Sequence, residues 1–138
     1  MVYAGLGSRA GKSPMKPLVL SYAACGTCKK ALRWFSERGV DVDVRPIVES
    51  PPSADELLDW IPKSGRPIRK WLNTSGLSYR SLGKARVDAA KDGEILRWLT
   101  QDGKLVKRPV VVTAKHVLVG FDEELYASAF PVARARRT

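Results

Sequence analysis

The sequence predicts an α/β fold in which a four-stranded mixed sheet is flanked by helices. Three observations predict it. A strand, a helix and a second strand follow residue 17 within about 30 residues, the length of a βαβ unit with parallel strands. Residues 53–101 then show only helical patterns. Residues 109–130 have the pattern of two short strands, joined by a tight turn and followed by a helix.

The βαβ unit begins with the apolar run of residues 18–22, which is typical of a buried strand. In residues 29–39, apolar side chains lie on one side of a helix and basic ones on the other, and Gly39 is a good C-terminal stop. Valine alternates with charged residues over 40–45, which predicts a strand with one solvated face.

The helical region begins after Pro51 and Pro52. Ser53 and Glu56 have the spacing of a capping box, which predicts a helix that ends at Pro62 and Gly65. Residues 67–100 continue with an interrupted helical pattern and no convincing strand. This region is expected to be a helical insertion of about residues 53–101.

The last unit is a predicted hairpin and helix. Residues 109–113 and 117–119 are the strands, with a turn at Ala114 and Lys115. Asp122 is placed to cap a final helix that reaches Phe130. A parallel pair joined to a hairpin, with helices on the sheet faces, is the thioredoxin-like architecture.

Length and composition indicate one soluble domain. The chain has 138 residues, of which 44% are hydrophobic and 28% charged. No apolar run reaches the ~18 residues of a membrane helix, and no apolar core of a secretory signal is present. The expected location is therefore the cytoplasm, with no membrane partner.

The basic charge is concentrated at the two ends. Residues 1–16 are expected to be a flexible basic extension and residues 132–138 a basic tail, around a single domain at 17–131. The two ends hold six of the 24 basic residues and none of the 14 acidic ones. The central domain is thus only mildly basic, and no direct sequence-specific binding of nucleic acid is expected.

Cys25 and Cys28 form a CxxC pair between the first strand and the helix, which is a redox signature in a βαβ context. Amide groups at a helix N-terminus stabilise a thiolate, so a cysteine there has a pKa of roughly 3.5–7.5 instead of about 8.5. Cys25 is expected to be the more exposed thiol and the nucleophile, and Cys28 the resolving thiol. The alternative is an incidental pair of core thiols. Two cysteines and one histidine, His116, are too few for a zinc site, and no bound cofactor is expected.

Arg108 and Pro109 open the first strand of the hairpin. A proline at this place in thioredoxin-like folds is cis and faces the cysteines, so Pro109 is expected to be a cis-proline. A trans proline that starts a strand is the alternative.

Several separated segments resemble the active-site and core motifs of the glutaredoxin-coupled arsenate reductases, the ArsC family, and of their relatives, the Spx/MgsR-type regulators. They occur in the family's order and cover the chain from about Leu18 to Phe130. The segments are 22–30 (YAACGTCKK), 47–52 (IVESPP), 72–76 (LNTSG), 79–83 (YRSLG), 107–112 (KRPVVV) and 119–121 (VGF).

The resemblance to the enzymes implies that Cys25 attacks an oxyanion such as arsenate, which Arg69 and Arg108 hold. Glutathione with glutaredoxin, or thioredoxin, is then the electron donor. A third arginine of the family's site has no counterpart near Leu118 to Gly120.

The resemblance to the regulators rests on Cys28, where the enzymes usually have serine. It implies a CxxC redox switch that binds the C-terminal domain of the RNA polymerase α subunit. The chain departs from the regulators at a glycine of the helical insertion: the nearest is Gly65, and Pro67 stands in its place. The motifs thus leave two hypotheses open, a thiol–disulfide enzyme and a redox-sensing regulator.

Overall fold

In the computed structural model, which describes residues 16–131, four strands form one mixed sheet. The order across the sheet is β2-β1-β3-β4, with β1 and β2 parallel and the other two pairs antiparallel. The strands are β1 (Leu18–Ser21), β2 (Asp43–Pro46), β3 (Val110–Val112) and β4 (Val117–Val119). This is the predicted thioredoxin-like arrangement of a βαβ unit and a hairpin.

Six helices accompany the sheet. Helices α2 to α5 lie between β2 and β3, in the region of the predicted insertion. The helices are α1 (Gly26–Glu37), α2 (Ala54–Ser64), α3 (Leu77–Leu82), α4 (Lys84–Ala89), α5 (Asp92–Gln101) and α6 (Glu123–Ala129), and two 3₁₀ segments add Ile68–Trp71 and Gly103–Leu105. No helix within residues 16–131 is long and apolar enough to cross a membrane. The predicted extension 1–16, apart from Lys16, and the predicted tail 132–138 lie outside the described residues.

The predicted caps are present because a cap depends on adjacent residues. Ser53 accepts a hydrogen bond from the Glu56 amide, and the Glu56 side chain accepts one from the Ser53 amide, which completes the capping box. Asp122 accepts from two amides of α6. Gly39 and Gly65 both have a φ of 70°, a left-handed conformation that glycine adopts without strain at a helix end.

Several boundaries differ from the prediction, three of them in ways that matter for the edge strand, the insertion or the cysteines. The second strand starts at Asp43 rather than at residue 40, because it pairs only along the four residues of β1. Val44 is consequently 54% exposed on an edge strand. Helix α2 continues through Pro62 and ends at Gly65. Helix α1 starts at Gly26 rather than near Cys28, which changes the position of the cysteines.

Strands β1, β3 and β4 are buried on both faces, as expected from their apolar runs, whereas the edge strand β2 is largely exposed. On one face, Val19 and Val111 pack against the aromatic residues of α1 and α6, where Trp34, Phe35 and Tyr126 make edge and tilted ring contacts. On the other face, the helical insertion covers the sheet through residues that share a second core: Leu20, Ile47, Leu57, Trp60, Trp71, Ile95, Leu99, Val110 and Val112. The loop after β1 leads into α1 at Cys25, the N-cap residue of the helix.

Candidate active site

The two cysteines occupy the first turn of α1. Cys25 is the N-cap residue, with extended backbone angles, and its amide donates to Tyr22 O at 2.9 Å. Cys28 is the third residue of the helix. The sequence predicted a helix that begins near Cys28; Gly26 and Thr27 have weak helical propensity, so the pattern did not mark them. The earlier start places the Cys25 thiol itself at the unpaired amides of the helix N-terminus.

Cys25 is the more exposed thiol, as predicted, and it is partly buried. Burial alone raises the pKa of Cys25. Hydrogen bonds outweigh this effect: they come from the amide and the thiol of Cys28, the Arg108 guanidinium and the Thr27 amide. The pKa of Cys25 therefore lies below its ordinary value, which makes it the thiol of the pair that ionises first.

Cys28 has the opposite character. It is 1% exposed, and burial raises its pKa, as does the neighbouring Cys25. The Tyr22 amide, 3.4 Å from Cys28 Sγ, and the Ser21 hydroxyl oppose this shift only in part. Both cysteines are free thiols. The pair thus holds one thiol that ionises easily beside one that keeps its proton.

Arg108 lies beside Cys25 on the ring of Tyr22. Its guanidinium carbon is 5.0 Å from the ring centroid, and its Nη1 donates to Lys104 O at 3.1 Å. Its Nε is buried and finds no hydrogen-bond partner among residues 16–131. The Arg108–Pro109 peptide bond is cis. Lys104 adds a second cation, with Nζ 5.9 Å from the same ring. The site therefore combines a thiol with fixed positive charge and an unused N–H donor.

Asn73, which the sequence reasoning did not single out, shares a hydrogen-bond acceptor with Arg108. Its Nδ2 donates to Lys104 O at 3.3 Å, the same oxygen that accepts from Arg108. Its amide donates to Leu105 O at 2.7 Å. The available signal was the LNTSG segment, in which Gly76 follows Asn73 at turn spacing, but the contact joins residues 31 positions apart.

Arg69 binds backbone carbonyls of the helical insertion. Its Nη1 donates to Val87 O at 2.8 Å and its Nη2 to Ala90 O, so the guanidinium closes the C-terminal end of α4. It is not among the groups that lower the pKa of Cys25. The structure therefore brings Cys25, Cys28 and Arg108 together, with Pro109 joined to Arg108 by a cis peptide bond. The Arg69 donors bind backbone carbonyls of the insertion instead.

Gly120 lies where the third arginine of the resemblance would be expected. Its φ is 85°, and its amide donates to Pro109 O at 2.8 Å. A Cβ at this position would lie 3.4 Å from Lys107 Cε, so the lysine stem covers the backbone there. His116 is exposed in the hairpin turn. Within residues 16–131 no group of three or more His, Cys, Asp or Glu side chains is arranged to hold a metal ion.

A model of the ArsC family matches residues 20–129 of the chain. The uncharacterized protein YusI of Bacillus subtilis is 41% identical over 106 residues, which cover 76% of this chain and 90% of that protein. An arsenate reductase of Escherichia coli is 35% identical over 89 residues, 64% of this chain, and the match spans only 62% of the enzyme. The global transcriptional regulator Spx of Streptococcus agalactiae is 23% identical over 108 residues, 78% of each chain.

Solved structures give the same picture. The crystal structure of an ArsC family related protein from Bacteroides fragilis is 43% identical, with a TM-score of 0.79 over 83% of this chain and 97% of that one. A structure from Streptococcus mutans, described as a possible arsenate reductase, is 32% identical with a TM-score of 0.71, over 80% of this chain and 97% of that one.

Proposed function

Because the chain belongs to the ArsC family, we propose that it is a thiol–disulfide oxidoreductase in which Cys25 is the nucleophile and Cys28 the resolving thiol. One observation carries the proposal: two free thiols share the first turn of α1, and their pKa values are shifted in opposite directions. A nucleophile must be ionised at neutral pH, whereas a resolving thiol is needed only after the first step.

The reaction has two displacements. The Cys25 thiolate attacks one sulfur of a substrate disulfide, forms a mixed disulfide and expels the other sulfur as a thiolate. Cys28 then loses its proton to solvent or to the expelled thiolate, and its sulfur attacks Cys25 Sγ. The second substrate thiol leaves, and the protein holds a Cys25–Cys28 disulfide. The substrate has gained two electrons, which a glutaredoxin, thioredoxin or glutathione system returns to the protein.

The charge around Cys25 favours a sulfur substrate over a tetrahedral oxyanion. A multiply charged oxyanion needs several forked donors around it. Here Arg108 is the guanidinium beside the thiol, Arg69 donates to carbonyls of α4, and residue 120 is glycine. One guanidinium that donates to Cys25 suits a single developing thiolate charge. Arsenate remains the oxidant to compare, since arsenate reductases are among the relatives.

The proposal is tested by mass spectrometry of acid-quenched reactions between the reduced protein and oxidised glutathione. The wild type is expected to lose two hydrogens and retain no adduct. Cys28→Ser should accumulate glutathione on Cys25, because the resolving thiol is gone. Cys25→Ser should do neither. Equal modification of the Cys25→Ser variant, or no adduct on Cys28→Ser, would contradict the assignment.

Arsenate turnover is measured in parallel, as arsenite formed with glutathione plus glutaredoxin or with thioredoxin. We expect arsenite formation close to background in both systems. Rapid turnover that Arg69→Ala abolishes would instead assign an oxyanion site to both arginines and favour the arsenate reductase version of the function.

A second candidate is a redox-sensing regulator of RNA polymerase. It is supported by the CxxC pair and by the match to Spx over 78% of the chain. Oxidation of Cys25 and Cys28 should then change the affinity for the C-terminal domain of the α subunit. Absence of binding in both redox states, in a pull-down with that domain, would exclude this candidate. The reducing conditions that both candidates need are those of the cytoplasm.

A further inference from the structure

We propose that Asn73 is a positioning residue that holds the Arg108 guanidinium beside Cys25 by sharing with it the carbonyl oxygen of Lys104. The inference rests on the proposed function, since it concerns the same nucleophile. It assigns a role to a residue far from the cysteines in sequence and outside the CxxC and Arg-Pro motifs.

The shared acceptor is the first step of the argument. Asn73 Nδ2 lies 3.3 Å and Arg108 Nη1 3.1 Å from Lys104 O. A carbonyl oxygen has two lone pairs, so it accepts both bonds and their directions become coupled. The bond to Lys104 O is the hydrogen bond that orients the Arg108 guanidinium above the Tyr22 ring.

Backbone pairing fixes the segment that carries Asn73 against the segment that carries Lys104. Leu72 and Val106 form an antiparallel bridge. On either side of it, the Asn73 amide donates to Leu105 O and the Lys107 amide to Trp71 O, both at 2.7 Å. The Asn73 side chain therefore reaches Lys104 O from a fixed backbone.

Close packing fixes both ends of the contact. A Cβ on Gly76 would lie 2.8 Å from Asn73 Nδ2, so glycine leaves the amide the room it occupies. A Cβ on Gly103 would lie 2.0 Å from Ile47 O, so the backbone just before Lys104 packs directly on the chain that follows β2. Ser75 Oγ donates to Asn73 Oδ1 at 3.3 Å and sets which side of the amide faces Lys104.

The consequence concerns the donor that Arg108 leaves unused. With Nη1 on Lys104 O and the guanidinium over the Tyr22 ring, Nε is buried and has no hydrogen-bond partner in the described part of the chain. The guanidinium also donates to Cys25, and a thiolate there accepts this bond more strongly than a thiol does. Without Asn73, Lys104 O keeps its place but loses one of its two side-chain donors, so the bond from Arg108 can change direction and turn the guanidinium away from the thiol.

The experiment is a double-mutant cycle on the pH profile of Cys25 alkylation by iodoacetamide, in a Cys28→Ser background. Asn73→Ala is expected to slow alkylation about threefold at pH values below the midpoint, which corresponds to an upward shift of about half a pH unit in the midpoint. The high-pH plateau should not move. In an Arg108→Ala background, Asn73→Ala should have no further effect, because its action passes through Arg108.

Two further variants sharpen the cycle. Gly76→Ala displaces the Asn73 amide without removing it and should shift the midpoint in the same direction by a smaller amount. Thr74→Ala, at an exposed neighbour, is the matched control and should leave the profile unchanged. Far-UV circular dichroism and the melting temperature show that each variant is folded.

The results separate the two proposals. An unchanged midpoint in Asn73→Ala, while Arg108→Ala raises it, overturns the role of Asn73 and leaves the proposed function intact. A shift of full size in the Arg108→Ala background also overturns it, since Asn73 would then act by another route. A wild-type midpoint at the value of an ordinary cysteine overturns both proposals.

Discussion

Of the arginines that lie on aromatic rings, Arg45 and Arg108 differ in how many of their donors are used. At the start of α2, the Arg45 guanidinium lies 6.0 Å from the Trp60 ring and makes four hydrogen bonds, to Ser50 O, Pro51 O and both oxygens of Glu56, at 2.7–2.9 Å. At the cysteines, Arg108 lies 5.0 Å from the Tyr22 ring and donates to Lys104 O and to the Cys25 thiol, and its buried Nε has no hydrogen-bond partner among residues 16–131.

The comparison distinguishes an arginine that stabilises the fold from one that affects the reactivity of a thiol. A guanidinium has five N–H donors, and the fold around Arg45 supplies acceptors for them. An unsatisfied buried donor costs free energy. At Arg108 the acceptors are fewer, and one of them is Cys25, whose pKa this bond lowers. We therefore expect Arg45 to affect folding and Arg108 to affect reactivity.

The largest expected effect is on stability at Arg45. Arg45→Ala leaves Glu56 without its ion pair, only partly exposed, and removes two bonds to the β2–α2 loop. We expect a loss of about 3 kcal/mol in the free energy of unfolding, measured by urea titration. The midpoint of Cys25 alkylation should stay at the wild-type value.

Arg33→Ala, at an exposed base of α1, is the matched control for charge and should change stability by less than about 0.5 kcal/mol. If the Arg45→Ala protein were as stable as wild type but its Cys25 were alkylated more slowly, the distinction between the two arginines would be wrong.

The second prediction concerns Arg69, which the structure groups with Arg45. Because its guanidinium donates to the carbonyls of Val87 and Ala90, Arg69→Ala should destabilise the end of α4 by about 2 kcal/mol. Cys25 alkylation should be unchanged within the error of the measurement. Lys70→Ala, the exposed neighbour, is the control. A raised Cys25 midpoint in Arg69→Ala would restore the anion-holding role that the family resemblance implies.

Arg108 and Arg69 also show what the sequence could predict. The CxxC pair, the Arg108–Pro109 step and the helix caps depend on residues that are adjacent or one turn apart, so local patterns were enough to find them. The Arg69 guanidinium donates to carbonyls that lie 18 and 21 residues away in sequence. A sequence motif does not show whether the N–H groups of an arginine already have acceptors within the fold.

Asn73 is a second case in which a sequence motif does not reveal a contact between distant segments. Its partner is a backbone carbonyl, Lys104 O, which carries no signature of residue type. The start of β2 was misjudged for a related reason: valine alternation continues from residue 40, but pairing stops where β1 stops. The elements followed from periodicity, whereas their ends and the use of each polar group were decided by contacts between distant segments.

The third prediction concerns reactivity at Arg108. Arg108→Ala removes one of the donors that lower the pKa of Cys25, so alkylation at neutral pH should slow about tenfold, equivalent to about 1.4 kcal/mol. Stability should change little, because one hydrogen bond to an exposed loop is lost. Lys115→Ala, in the hairpin turn, is the control for net charge. A tenfold loss in both variants would mean that overall charge, rather than the donor at Nε, activates the thiol.

The smallest effect is the pH dependence of stability at Glu56, on the Arg45 side of the comparison. Burial raises the pKa of Glu56, but the bonds from Arg45 and the Ser53 amide outweigh it, and the pKa lies below its ordinary value of 4.5. A carboxyl with a depressed folded-state pKa contributes stability above its unfolded-state pKa, and that contribution is lost as the pH falls through the folded-state pKa. Glu56→Gln should therefore be about 1 kcal/mol less stable than wild type at neutral pH. The two proteins should converge as the pH falls below 4.5 and through the lowered folded-state pKa. Asp55→Asn, at an exposed acid of the same helical turn, is the matched control. If the difference in the free energy of unfolding between Glu56→Gln and wild type persisted in acid, the Glu56 side chain would act through its shape and hydrogen bonds rather than its charge. The Arg45 site would then stabilise the fold as a polar network, without a contribution from its ionisation.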